Sequence, residues 1–115
     1  MMIDTENWIE IGTLSDIPRQ GARTIARKSG NDIGVFRTLD DRIFALENTC
    51  PHKQGPLSQG IVHGHVVTCP LHNWRISLET GLVLGEDKGC TPTIKTKIVE
   101  DKIFILLNGD TEPSE

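Results

Sequence analysis

The chain has 115 residues, which is enough for one small domain, residues 1–115, with a core of its own. Acidic residues outnumber basic ones by 16 to 12, and the resulting net charge of −4 argues against a nucleic-acid-binding protein, which needs a basic face. No apolar run approaches the roughly 20 residues of a membrane-spanning helix, so we expect no membrane association.

Apolar residues recur at every second position in short runs that are separated by turn residues. This alternation predicts strands, since no long segment shows a 3.6-residue repeat. The predicted strands cover residues 8–14, 22–27, 33–38, 42–47, 61–62, 66–68, 75–78, 95–99 and 102–107. Three polar junctions predict hairpin turns: Asp40-Asp41, His63-Gly64-His65 and Glu100-Asp101. We therefore expect an all-β fold, an antiparallel sandwich or barrel.

Two stretches interrupt the strand pattern, residues 49–60 and 69–74, and both are rich in Pro, Gly, His and Asn. Loops carried on a rigid sheet are where functional residues concentrate. The polar tail 108–115 is expected to fray. The candidate site therefore lies in the two inner loops.

The cysteines and the start of the chain both indicate a cytoplasmic protein. The sequence opens MMIDTE, without the basic and apolar regions of a signal peptide. It has three cysteines, Cys50, Cys69 and Cys90, an odd and sparse set that does not suit a disulfide framework. We expect at least two of them to bind a metal.

The first loop reads CPH at residues 50–52, and the second reads CPLH at residues 69–72, with 16 residues between His52 and Cys69. Each loop thus offers one thiolate and one imidazole, and the hairpin between the loops can bring them together. A [2Fe–2S] cluster needs this arrangement if Cys50 and Cys69 bind one iron while His52 and His72 bind the other. Two thiolates leave an oxidised cluster neutral, where four would leave it doubly negative, so mixed ligation raises the reduction potential.

Three alternatives use the same residues differently. A zinc-stabilised interaction module would place all four side chains on one ion, but zinc pairs usually have about two to four residues between ligands, and Cys50 and His52 have one. Four unrelated core or surface residues are the second alternative. The third is an assembly subunit with a vestigial cluster, which the complete ligand set disfavours.

The CPH and CPLH motifs resemble the Rieske [2Fe–2S] family. Longer stretches resemble the small subunit of assimilatory NADH-dependent nitrite reductase, and the resemblance runs from about Trp8 to Leu107. They are VFRTLDDRIFAL at 35–46, CPHKQGPLSQGIVHG at 50–64, VTCPLHNWRISLETG at 67–81 and DKGC at 87–90. The resemblance implies a cluster-binding subdomain at about residues 47–85, on a base of N- and C-terminal strands.

The same resemblance implies a role in nitrate assimilation, with a large partner subunit that carries flavin, sirohaem and an iron–sulfur centre and reduces nitrite to ammonium. The chain has no G-x-G-x-x-G fingerprint of its own, so it would act as the electron carrier of that oxidoreductase. The alternative within this chemistry is a free Rieske ferredoxin that serves a ring-hydroxylating oxygenase.

The resemblance also predicts the reduction potential. High-potential Rieske proteins add a disulfide between the two loops and hydroxyl donors to the cluster sulfurs. Here Gly55 and Leu71 stand where those cysteines would be, and the chain has no tyrosine. We expect a potential on the order of −150 mV, near the lower end of the Rieske range.

The other polar and aromatic residues are interpreted mainly as structural. Cys90 is expected to be a small packed residue. His63 and His65 are expected at a surface turn, with partner contact or adventitious metal binding as the alternative. Trp74 is expected to cover the cluster and exclude water, and together with His52, Lys53 and His72 to form the face that docks on the partner. Lys53 and Arg75 are solvated charges or contacts to an acidic partner.

Overall fold

The computed structural model describes residues 7–26, 32–50, 56–70, 73–85 and 89–107. Within these ranges the chain forms ten strands and two 3-10 helices, Leu14–Asp16 and Leu57–Gln59. The strands are β1 (Asn7–Thr13), β2 (Gly21–Ile25), β3 (Ile33–Arg37), β4 (Ile43–Glu47), β5 (Ile61–His63), β6 (Val66–Thr68), β7 (Arg75–Ser77), β8 (Thr93–Ile94), β9 (Thr96–Val99) and β10 (Lys102–Leu107). No helix in the described ranges is long and apolar enough to cross a membrane.

The strands form three antiparallel sheets. One has the order β1-β10-β9, the second β2-β3-β4-β8 and the third β5-β6-β7. Each hairpin predicted from a polar junction is present: β3 pairs β4, β5 pairs β6 and β9 pairs β10. Glu100 and Asp101 both have positive φ, as the two-residue turn of a tight hairpin requires. The all-β, antiparallel prediction is therefore confirmed.

Strands β3 and β4 form a wall between two apolar cores. Successive side chains of a strand point to opposite faces, so Val35 and Phe36 enter different cores. The core on one face, here called the base core, contains Ile17, Ile33, Val35, Ile43, Ala45, Ile103 and Ile105. The core on the other face, here called the cysteine core, contains Phe36, Leu46, Cys50, Leu57, Val62, Val67, Cys69, Ile76 and Leu78. The β5-β6-β7 sheet thus packs against the opposite face of this wall from β10.

Arg37, at the end of β3, ties the first 3-10 helix to the β3–β4 turn. Its guanidinium donates to the carbonyl oxygens of Leu14 and Ile17, each at 2.8 Å, and to the carboxylate of Asp41 at 2.8 Å. Arg19 donates to the same carboxylate at 2.8 Å. The side-chain hydrogen bonds from Arg19 and Arg37 lower the pKa of Asp41 from 3.8 to about 2. Asp41 is thus a turn residue that also forms ion pairs with Arg19 and Arg37.

Candidate metal centre

Two of the four predicted ligands, Cys50 and Cys69, lie in the described part of the chain, and both are fully buried in the cysteine core. Cys50 comes three residues after the end of β4, and Cys69 comes directly after β6. These strands belong to different sheets, so the packing of one sheet on the other brings the two cysteines into one core. Neither forms a disulfide bond.

The segment that leads into Cys50 is held from two sides. The Asn48 side-chain oxygen accepts a hydrogen bond from the Ser58 backbone N–H at 2.6 Å, which links the two ends of the first loop. The Thr91 hydroxyl donates to the carbonyl oxygen of Thr49 at 3.3 Å. These two hydrogen bonds therefore hold Asn48 and Thr49, the two residues that directly precede Cys50.

Cys69 is positioned by the central strand of the β5-β6-β7 sheet and by its own loop. Its backbone N–H donates to the carbonyl oxygen of Trp74 at 2.7 Å, which closes the second loop. Trp74 is half-buried and packs against the cysteine core. This is the position from which an indole ring limits the access of water to the buried thiols.

His52 and His72 lie outside the described residues, so their placement as ligands stays a prediction. Within the described ranges, no group of three or more His, Cys, Asp or Glu side chains is arranged to hold a metal ion. What the structure shows does fit an iron–sulfur cluster: two thiols, the soft donors that iron–sulfur chemistry uses, are buried together in an apolar core. A cluster bound there would accept and release one electron at a time.

Comparison with known families identifies the fold and the cofactor. The Rieske [2Fe–2S] domain profile matches residues 7–97, which is most of the chain. This chain belongs to the Rieske [2Fe–2S] family. It is therefore an electron-transfer protein of the Rieske type whose cofactor is a [2Fe–2S] cluster, which excludes the zinc-stabilised module as an interpretation.

Two sequence relatives of this Rieske protein are ferredoxin components of dioxygenase systems. One, of the naphthalene 1,2-dioxygenase/salicylate 5-hydroxylase systems of Ralstonia sp., is 34% identical over 91 residues, which cover 79% of this chain and 81% of the relative. The other, of the 2,4-dinitrotoluene dioxygenase system of Burkholderia sp. (strain RASC), is 33% identical over 111 residues, covering 90% and 99%. A crystal structure from Mycobacterium tuberculosis, assigned as an NADH-dependent nitrite reductase small subunit, superposes with a TM-score of 0.81. It is 19% identical and covers 92% of this chain and 99% of its own, so it supports the Rieske fold alone.

Of the other residues singled out in the sequence, Cys90 contradicts its interpretation. It was expected to be packed, but its side chain is exposed at an isolated β-bridge with Leu82, which is itself exposed. Neither residue of this bridge belongs to the base core or to the cysteine core, so neither core covers Cys90 as it was expected to be covered. Arg75 is exposed on β7, and Lys53 lies outside the described residues.

The two turn histidines differ in their surroundings. His63 contacts a hydroxyl of the same hairpin, since its Nε2 lies 3.3 Å from Thr68 Oγ1. His65 lies in the predicted turn but contacts two carboxylates, those of Asp40 and Glu79. Those partners are 25 and 14 residues away in sequence, so the local pattern carried no signal for them.

Proposed function

We propose that Cys50, His52, Cys69 and His72 bind one Rieske cluster, with the two cysteines on one iron and the two histidines on the other. Residues 47–85 would form the subdomain that holds it. The observation that carries the ligand assignment is the burial of Cys50 and Cys69 together in one apolar core. Each predicted histidine follows its cysteine by two or three residues, which keeps it within the same loop.

The functional proposal is that this chain is the electron-transfer small subunit of an NADH-dependent nitrite reductase. The sequence stretches that resemble those subunits support it, and they form the surroundings of the cysteine core. Residues 35–46 make most of the wall of β3 and β4, while 50–64 and 67–81 contain both cysteines and most of the β5-β6-β7 sheet. The chain would relay electrons to a large subunit that carries flavin, sirohaem and iron–sulfur centres and reduces nitrite to ammonium.

The ligand assignment is tested by metal analysis of the purified chain. Wild-type protein should contain iron and acid-labile sulfide, each near two per chain, as one [2Fe–2S] cluster requires. Cys50→Ser and Cys69→Ser should both lose the cluster and its visible absorption, because a serine oxygen is a poor substitute for a soft thiolate. Cys90→Ser is the matched control, since Cys90 is exposed and should not affect iron content. Full iron content in Cys69→Ser would contradict the assignment.

A second candidate function is a ferredoxin for a ring-hydroxylating oxygenase. The observation in its favour is that the sequence relatives at 33% and 34% identity are ferredoxin components of dioxygenase systems. Both candidates pass single electrons from a reduced partner to a larger one. They differ in the protein that receives the electrons, so only a partner assay separates them.

The partner assay mixes the reduced chain with candidate acceptors. We expect it to restore NADH-dependent reduction of nitrite to ammonium when added to a flavin- and sirohaem-containing large subunit that lacks it. Support of an oxygenase component, without effect on nitrite reduction, would reject the nitrite reductase proposal in favour of the second candidate. The product, ammonium, can be measured quantitatively, and the assay can be interpreted without knowing the subunit stoichiometry of the complex.

The docking face is tested by charge reversal. If the face formed by His52, Lys53, His72 and Trp74 meets an acidic partner, Lys53→Glu should slow electron transfer, and most strongly at low ionic strength where charges are least screened. Lys102→Glu is the control, because Lys102 is exposed on β10, in a different sheet from the cysteine loops. Equal rates for the two variants at every salt concentration would show that this face is not the docking site.

A further inference from the structure

His65 links the β5-β6-β7 sheet to the turn between β3 and β4. Its Nδ1 lies 2.7 Å from Glu79 Oε2, and its Nε2 lies 3.1 Å from Asp40 Oδ2. The imidazole also packs on the Phe44 ring, with 5.2 Å between centroids. The side chain is 27% exposed, so it lies at the edge of the contact between the sheets. One imidazole thus contacts carboxylates from two separate turns.

Both sides of this contact are held in place by neighbouring hydrogen bonds. The fully buried Thr38 donates its hydroxyl hydrogen to the Asp40 carboxylate and accepts the Arg42 backbone N–H at 3.0 Å. On the other side, the His65 carbonyl oxygen accepts the Leu78 backbone N–H at 2.9 Å, next to Glu79. The two carboxylates are therefore presented to the ring by ordered turns.

The chemistry of imidazole makes this contact depend on protonation. A neutral ring has one N–H and can donate to only one carboxylate, whereas the imidazolium donates to both. The hydrogen bond to Glu79, and next the one to Asp40, raise the pKa of His65 above its ordinary 6.5. The hydrogen bond from Thr38, and next the one to His65, lower the pKa of Asp40 below 3.8. His65 and Asp40 therefore each favour the charged form of the other.

Two cations also lie near the contact. The Arg42 guanidinium carbon is 5.8 Å from the centroid of Phe44, the ring on which His65 packs. Lys95 lines the same surface groove as Phe44 and Glu79. Both positive charges oppose protonation of the imidazole, but the two carboxylates are in direct hydrogen-bond contact with it, and at partly exposed sites the nearer charges dominate.

We propose that protonated His65 is a pH-dependent fastening that holds the cysteine-bearing β5-β6-β7 sheet to the β3–β4 turn. Strand β6 begins at Val66, directly after His65, and ends at Thr68, directly before Cys69. The fastening therefore lies at the start of the strand that ends beside a buried thiol. The other side of the junction uses neutral groups, since the Gln20 side-chain amide donates to the Val62 carbonyl oxygen at 3.2 Å.

The direction of the pH effect follows from linkage. Because folding raises the pKa of His65, the fastening contributes its full stability below about pH 6.5 and loses it as the pH rises through the higher folded value. The part of the contact made to Asp40 is lost only as the pH falls below 3.8 and that carboxylate is protonated. The inference goes beyond the proposed function, because it holds whichever large partner the chain serves.

The test compares thermal unfolding of the cluster-loaded wild type, His65→Gln and His63→Gln between about pH 5.5 and pH 9. Glutamine keeps a polar side chain of similar length but cannot be charged. We expect His65→Gln to lower the unfolding midpoint by roughly 2–4 °C at the acidic end and by less than half of that at the alkaline end. His63→Gln, in the same hairpin, should show no such trend. Titration of the cluster itself affects all three proteins, so the difference from wild type isolates His65.

Two further variants keep the inference falsifiable if His65→Gln does not fold. Asp40→Asn and Glu79→Gln each remove one carboxylate, and each should lower the pH at which the His65 ring signals titrate by NMR. A midpoint difference that is constant across the pH range would overturn the proposal. So would an unchanged His65 titration in both carboxylate variants.

Discussion

Gly60 lies where the first loop meets β5, and it is the position at which the smallest possible change should disturb the cysteine core. Its φ of −81° is one that alanine adopts readily, so backbone conformation does not require glycine there. The constraint is steric instead. A Cβ added at residue 60 would overlap the Thr68 carbonyl oxygen and would lie 3.0 Å from the Thr68 carbonyl carbon and 3.1 Å from Val67 Cγ2. Thr68 directly precedes Cys69.

The size of the effect follows from these distances. Carbon and oxygen atoms that are not bonded pack at more than about 3 Å, so relieving the overlap with the Thr68 carbonyl oxygen would require β5 and β6 to separate by roughly 1 Å or more for Gly60→Ala to fit. Forcing a methyl group into a packed interior in this way typically costs about 1–3 kcal/mol. For a domain of this size the unfolding midpoint should fall by roughly 4–12 °C. The displaced strand leads directly into Cys69, so we also expect less iron per chain.

The assay is thermal unfolding followed by circular dichroism, together with iron and visible absorbance per chain. Gly64→Asn is the matched control in the same hairpin: a Cβ there meets nothing within 4 Å, and asparagine tolerates the φ of +56°. It should keep full iron content and stay within about 1 kcal/mol of wild type. The steric reasoning is refuted if Gly60→Ala has the stability and iron content of wild type, or if the two variants lose both equally.

Three further predictions concern the base, the loop and the cluster. Leu57→Ala should lower the free energy of unfolding, measured in urea, by about 2–5 kcal/mol, because Leu57 is fully buried. Leu39 is 62% exposed, so Leu39→Ala should change the free energy of unfolding by less than about 0.5 kcal/mol. Equal losses of stability in the two variants would contradict the assigned core. Asp41→Asn should lower the urea midpoint near neutral pH. Because the pKa of Asp41 is about 2, this difference from wild type should be lost as the pH falls from 3.8 towards 2. A difference that does not depend on pH would disprove the pairing of Asp41 with Arg19 and Arg37. Protein-film voltammetry should give a reduction potential on the order of −150 mV, and a value above about +100 mV would argue against the nitrite reductase assignment.

The strand pattern was predicted well wherever pairing is local. Residues 33–38 were predicted and Ile33–Arg37 was found, and 102–107 matches β10 in full. The strand predicted over 95–99 matches β9, Thr96–Val99, except at Lys95, whereas the short strand β8 was not predicted. Strand β8 pairs β4 through Ile94, and β9 then pairs β10, so the chain changes sheets at Lys95. Alternation of apolar residues indicates which side chains face inward, but it does not indicate which sheet a strand joins.

The site was predictable to the extent that its residues are local. The CPH and CPLH motifs predict Cys50 and Cys69 as ligands, and the structure buries both in one apolar core, which fits that prediction. The burial of Leu57, which lies within the first loop, was not predicted, because a 3-10 helix of three residues leaves no periodic signal. The contacts of His65 and the exposure of Cys90 depend on tertiary packing, which single-sequence patterns do not encode.

The unequal exposure of the three thiols gives the protein a built-in chemical reporter. In the folded chain Cys90 is open to solvent, while Cys50 and Cys69 are enclosed in the cysteine core. A maleimide dye should therefore attach once to the native protein and three times to the denatured one. The labelling stoichiometry then counts unfolded molecules in a mixture, and a dye at Cys90 marks a position outside the two ligand loops without any added cysteine.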